Sequence, residues 1–255
     1  MARLETKTEK ERGLSSFWIR LIAIASMIMC FISSSSKLPL GNRAIADCMY
    51  WFSFTLFAFL LVEGINNTTN RILYIRRFAF FTIISEFLYD WYKTGTFFDM
   101  KQQSVMVTLF ILLLVMLFLD YIKRRFRNTV LDIILIVVLT IATINGCLYI
   151  NSEFGRYGVL ITMLFYTCHD ITYPRIFEFA VMVYYSFYAK IDTIITVTVN
   201  ELQYTVPITV FAIFALAVTW FYSKERGPNK LWLKIYFYIV YPLLLVIFGV
   251  LENLI

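Results

Sequence analysis

The chain alternates long apolar runs with short polar or basic connections, and the period of that alternation is the length of a membrane crossing. Residues 1–16 (MARLETKTEKERGLSS) are polar, with Lys and Glu interspersed, and no small-residue cleavage site follows. They read as a cytoplasmic tail rather than a signal peptide. The first apolar run goes from Phe17 to about Ile32. Since a helix needs roughly 20 residues to cross the hydrocarbon core, further spans are expected at 48–65, 73–91, 104–122, 129–149, 156–168, 172–189, 205–222 and 231–250. The sixth is short and the seventh is polar at both ends, so these two read either as crossings or as one broken or re-entrant helix. Nine crossings is the central expectation, within a range of eight to ten. Runs such as ILLLVMLFL (111–119) and ILIVVL (134–139) are apolar all round. Lipid-embedded helices have that pattern, whereas the strands of a membrane barrel alternate every second residue.

Composition agrees with this pattern: 60% of the 255 residues are hydrophobic, 16% are charged, and the mean hydropathy is +0.72. Soluble domains run nearer 45–50% apolar and about 25% charged. A nucleic-acid module, a disulfide scaffold and a disordered chain are thereby excluded. The expected class is an all-α polytopic membrane protein, with residues 17–255 forming one transmembrane domain behind the tail. The net charge of +6 reflects topology signals and implies no nucleic-acid partner. With the N-terminus inside, 17 of the 23 basic residues fall on the cytoplasmic side, in step with the spans. Such a bias places the protein in the cell membrane with the N-terminus cytoplasmic and the C-terminus outside. Cys30, Cys48, Cys147 and Cys168 sit in or beside apolar segments without a CxxC spacing, so no metal is expected.

Candidate chemistry lies where ionisable residues are kept at membrane depth, because a central charge there costs roughly 2.5–3.5 kcal/mol and calls for a partner. Most of them fall in FTLFAFLLVEGINNTTNRILYIRRFAFFTIISEFLYDW (54–91). Glu63 ends the second span; Arg71, Arg76 and Arg77 open the third; Glu86 lies inside it. Glu63 and Arg77 flank one short connection, which suggests an ion pair. One reading has that pair merely fixing the hairpin; the other has a polar cytoplasmic mouth for an anionic ligand, with Asn66, Asn67, Thr68 and Asn70 as neutral donors. A second polar group, YTCHDITYPRIFE (166–178), holds the only histidine, His169. Beside Asp170 it reads first as a solvated loop, since neighbouring residues on a helix do not face each other. A third group, Asp120 with KRRFR (123–127), reads as a topology signal touching anionic lipid headgroups. No P-loop, GxSxG, HExxH or Rossmann pattern occurs.

The blocks LFAFLLVEG (56–64), INNTTNR (65–71), YIRRF (74–78) and IISEF (83–87), with weaker echoes in QQSVMVTLF (102–110) and KIYFYIVYPLLL (234–245), resemble the TraX family. These are polytopic membrane proteins named for the enzyme that acetylates the N-terminus of conjugative pilin. The resemblance implies a helical membrane acyltransferase fold that passes acetyl from cytoplasmic acetyl-CoA to a peptide, pilin-like or surface-polymer acceptor. It implies Glu63, Glu86 or His169 as the catalytic base, and Arg71, Arg76, Arg77, Asn67 and Thr68 as ligands of the CoA phosphates. The match is divergent. Where the family pattern has histidines, this chain has Phe31, Asn67, Gln102 and Leu244. A non-catalytic scaffold for a partner or ligand, and a small transporter or immunity-type protein, are therefore carried beside the enzyme reading. If the acyl-transfer cavity is kept, Glu63, Asn67, Arg77, Glu86 and Gln102 are expected to converge on one pocket, walled by Trp51, Tyr241 and His169.

Overall fold

The computed structural model describes residues 13–38, 42–99, 101–169, 174–188, 194–199, 202–223, 225 and 231–253. Residues 1–12 of the expected tail lie outside this set, as do Asp170, Lys224, Arg226 and Lys230. Nine helices are described: α1 (Ser16–Ser34), α2 (Arg43–Asn67), α3 (Arg71–Thr94), α4 (Val105–Phe126), α5 (Thr129–Tyr149), α6 (Gly155–Cys168), α7 (Pro174–Tyr188), α8 (Val210–Trp220) and α9 (Leu231–Asn253). Each corresponds to one expected span. Between α7 and α8 the chain adds an antiparallel hairpin, β1 (Ile194–Val199) with β2 (Leu202–Pro207), in which Ile194 faces Pro207 and Val199 faces Leu202. The span expected from residue 205 thus begins on a strand and becomes helical only at Val210.

Asparagine sets several helix starts. Asn42 accepts from Ala44 and Ile45 N–H, Asn70 from Leu73 N–H, and Asn128 from Val130 and Leu131 N–H. Each satisfies donors that the first turn leaves orphaned. Gly95, at φ 72°, ends α3 in the left-handed conformation that a side chain disfavours. Helices α1, α2, α4 and α5 and Ile235–Asn253 of α9 are long and apolar enough to cross a membrane. The remaining helices differ: α3 has the length but carries more charge, and α6, α7 and α8 are short, with α8 spanning 11 residues, about 16 Å.

Contacts between helix ends assign every helix a direction. Leu14 N–H, just before α1, donates to Phe221 O after α8 at 2.7 Å, and Tyr222 reaches Glu63 at the end of α2. Arg71 at the start of α3 meets Asp120 near the end of α4, which meets Tyr166 near the end of α6; Arg175 in α7 meets Trp220 O in α8. All of these lie on one face, here termed the N-terminal face. On the opposite, C-terminal face, Ser35 and Ser36 bind Glu252 of α9, Asn253 binds Trp91 O of α3, and Gln103 pairs with Ser152. The helices therefore alternate in direction, and the chain starts on one face and finishes on the other.

Helix α2 is the central post, packed against α1, α4, α6 and α8. Ala58, Leu61, Val62 and Ile65 on α2 bury themselves against Leu112, Leu113 and Met116 of α4 and Val159 and Met163 of α6. Because lipid is as apolar as leucine, such helices associate through close packing and occasional polar bonds. One is the Ser53 hydroxyl donating across to Ala23 O at 3.0 Å. Helix α5 is the least buried of the long apolar helices; Val130, Ile133, Ile134, Val137, Val138 and Ile141 are exposed along one stripe that lipid would cover.

Candidate functional site

The N-terminal face carries a continuous polar rim built from the ends of α2, α3, α4, α6 and α8. Glu63 is buried, and its position one turn before Asn67 puts both side chains on one face of α2. The Glu63 carboxylate accepts from Asn67 Nδ2 and from the Tyr222 hydroxyl at 2.5 Å, and His169 Nε2 lies 3.6 Å from its second oxygen. A histidine and a glutamate 106 positions apart are thus joined, because α6 runs beside α2 and ends level with Glu63. The His169 side chain is 35% exposed and that of Glu63 only 11%, so the imidazole faces the rim and the carboxylate stands behind it. The solvated-loop reading of His169 gives way to this placement.

Tyr166, one turn before His169, extends the rim. Its hydroxyl donates to Asp120 Oδ1 at 2.8 Å, while Arg71 donates to Oδ2 at 2.6 Å and Lys123 Nζ sits 4.6 Å from the tyrosine ring centroid. Asp120 is therefore a tertiary anchor as well as part of a basic topology run. Glu63 is not paired with Arg77; its oxygens are taken by Asn67, Tyr222 and His169. Arg76 is exposed, Arg77 is half-buried, and neither forms an ion pair among the described residues. The Thr68 hydroxyl donates to Gly64 O at 2.6 Å and so serves the helix end. Gly64 itself leaves room for Tyr74, whose hydroxyl would lie 2.7 Å from a Cβ there.

The expected convergence on one pocket does not occur. Glu86 lies on α3 toward the C-terminal face, where its carboxylate accepts from Ser104 N–H at 3.1 Å. Gln102 is exposed in the loop before α4 on that same face. Trp51 packs its ring on Phe154 and Tyr157 and lines a small cleft with α7 and α8. Tyr241 lines a larger cavity below the C-terminal face, together with Phe31. Polar residues at membrane depth thus form two sites, one beneath each face.

Sequence reasoning missed Tyr222, which no motif marks, and gave no role to Tyr166, although it opens the polar group 166–178. It also missed the lining of the larger cavity, although a signal existed. Glu86, Tyr89, Asp90 and Lys93 recur at i, i+3, i+4 and i+7, a polar stripe along one face of α3 of which Tyr89 and Lys93 line the cavity. Among the described residues no group of three His, Cys, Asp or Glu could hold a metal ion.

A family model described as TraX protein matches residues 15–252, nearly the whole described bundle from α1 to α9. The chain belongs to the TraX family. No curated protein and no solved structure matches it. In this TraX-family chain the matched region begins beside Leu14, which pairs with Tyr222, and ends at Glu252, which binds Ser35 and Ser36. Both rims of the bundle therefore fall within the family region.

Proposed function

We propose that this TraX-family protein is a membrane acyltransferase that takes acetyl from acetyl-CoA at the N-terminal face and passes it to a peptide or surface acceptor. The observation that carries the reading is the meeting of Glu63 and His169 at that rim. An imidazole held by a carboxylate is the arrangement a general base needs, because the carboxylate orients the ring and stabilises the imidazolium that forms. The acceptor attacks the thioester carbonyl carbon and gives its proton to His169, the carbon–sulfur bond breaks, and CoA leaves as thiolate. Asn67 and Tyr222 steady Glu63. Arg76 and Arg77, at the start of α3, supply cations for the CoA phosphates, with Arg71 held nearby by Asp120. The charge bias supports a cytoplasmic position for this face, where acetyl-CoA is found, in a protein of the cell membrane.

Purified protein in detergent is titrated with acetyl-CoA by calorimetry, and thioester cleavage is followed with an amine-bearing peptide. The expected results are binding that Arg77→Ala weakens and cleavage that His169→Asn abolishes while binding persists. No heat and no protection from unfolding at about 1 mM ligand, where even a weak site of roughly −4 kcal/mol is half filled, would overturn the reading. A second reading, a non-catalytic ligand-binding scaffold, is favoured by the cavity under the C-terminal face, where Phe31 stands in place of a family histidine. It predicts ligand binding there without thioester cleavage under any condition.

A further inference from the structure

Below the C-terminal face, α1, α2, α3, α9, the α5–α6 connection and Val105 of α4 line a partly open cavity of about 170 Å³. Its walls are aromatic. On one side Phe154 stacks between Phe54 and Tyr50, with ring centroids 3.8 and 4.1 Å away. Across from this stack, Phe31 packs against Tyr92 at 5.7 Å and Tyr241 at 6.4 Å. The ionisable lining residues are Asp47, Glu153, Lys93, Cys30 and the tyrosines. The Tyr89 hydroxyl donates to Glu153 Oε1 at 2.6 Å and holds that carboxylate in the wall. Lys93 stands at the exposed rim, its Nζ 5.7 Å from the centroid of the Tyr89 ring.

From this geometry we infer that the cavity binds a small organic ammonium group, of the size and shape of the trimethylammonium head of choline. Aromatic faces carry negative quadrupole charge and attract cations, most strongly where water is excluded. Two carboxylates against one lysine leave the lining net negative, which repels phosphates and carboxylates. A purely apolar ligand would bring no charge for the second carboxylate, since the lining holds one cation, Lys93, against two acids. A bare metal ion finds no group of three His, Cys, Asp or Glu side chains able to hold it among the described residues. The volume is right as well: a cavity of roughly 150 Å³ holds benzene, and a quaternary ammonium head has a similar heavy-atom count. This site is separate from the Glu63–His169 rim and stands whether or not that rim transfers acetyl.

The experiment is calorimetric titration of the full chain in detergent with choline and with 3,3-dimethylbutan-1-ol, its uncharged isostere. Choline is expected to bind, the isostere at least about tenfold more weakly, which is the discrimination a desolvated cation–π and carboxylate site provides. Glu153→Gln, near-isosteric and checked for an unchanged unfolding midpoint, is expected to cost choline about tenfold. Lys93→Gln, at the rim, is expected to leave binding equal or tighter. Equal binding of choline and the isostere, no choline heat up to about 10 mM, or indifference to Glu153→Gln would each overturn the inference. Nanodiscs distinguish the source of the ammonium. Competition by phosphatidylcholine but not phosphatidylglycerol assigns it to a lipid headgroup, and equal choline binding in both assigns it to a soluble ligand.

Discussion

Replacing Gly158 with alanine tests how α2 and α6 meet. A Cβ at this position would lie 2.6 Å from the Cβ of Phe154 and 2.7 Å from Cζ of Phe54. Neither neighbour has room to retreat, because Phe54 is 2% exposed and its ring is stacked on Phe154 at 3.8 Å. Overpacking of this kind costs about 1–3 kcal/mol. The substitution also recovers about 0.5–1 kcal/mol by removing a glycine from a helix, so the net loss expected is roughly 0–2.5 kcal/mol. Unfolding in mixed SDS micelles measures it, with the fluorescence of Trp51, whose ring packs 5.0 Å from that of Phe154, as the local probe. Phe54→Leu removes the obstructing ring atoms, so the alanine penalty should shrink by about 1 kcal/mol in that background, as expected for coupled neighbours. A Gly158→Ala protein at least as stable as the parent, with Trp51 emission unchanged, would refute the close approach. The aromatic wall of the ammonium cavity would then lose its basis too.

Other consequences are open to direct measurement. Asp120→Ala strands Arg71 and the Tyr166 hydroxyl and should lower stability by about 1–3 kcal/mol, the cost of leaving partly buried polar groups unmet, whereas Arg71→Ala with Asp120→Ala together should fall well short of the sum of the singles. A reporter at Arg125 and one at Lys101, on opposite faces of the bundle, should be accessible from opposite sides of the membrane; labelling both from one side would refute the direction of α4. Glu63→Gln should cut thioester cleavage much more than acetyl-CoA affinity, since the carboxylate acts through His169, and an affinity loss of equal size would place Glu63 in binding instead.

Much of the architecture was legible along the chain because burial in lipid imposes a length and a composition on each helix by itself. Phe17–Ile32 and residues 129–149 needed no neighbour to be read as helices, and the basic runs at Arg76–Arg77 and Lys123–Arg127 marked which ends share a face. The hairpin at 194–207 was less legible. Its β-branched alternation in IITVTV (194–199) is a strand signal, but the stretch fell between two expected spans, and its end, 205–207, was counted into the second of them.

What the sequence by itself determined was the class, the helices found among the described residues and which helix ends share a face, all of which depend on one helix and its solvent at a time. Only the tertiary structure decided the partners. The same two charges, Glu63 and Arg77, could close a hairpin or look elsewhere, and the rotation of each helix about its axis settles which. That rotation is set by packing α2 against α1 and against α6 and α8, which lie far along the chain from it. It turned Glu63 toward His169 and Tyr222 and gave Arg71 to Asp120. It also put Glu86 near the other face, so that residues adjacent in the sequence argument serve two sites. In lipid no hydrophobic gradient orients a helix azimuthally as water does; close packing and a few polar bonds do so instead, and these are properties of pairs of helices rather than of any one segment.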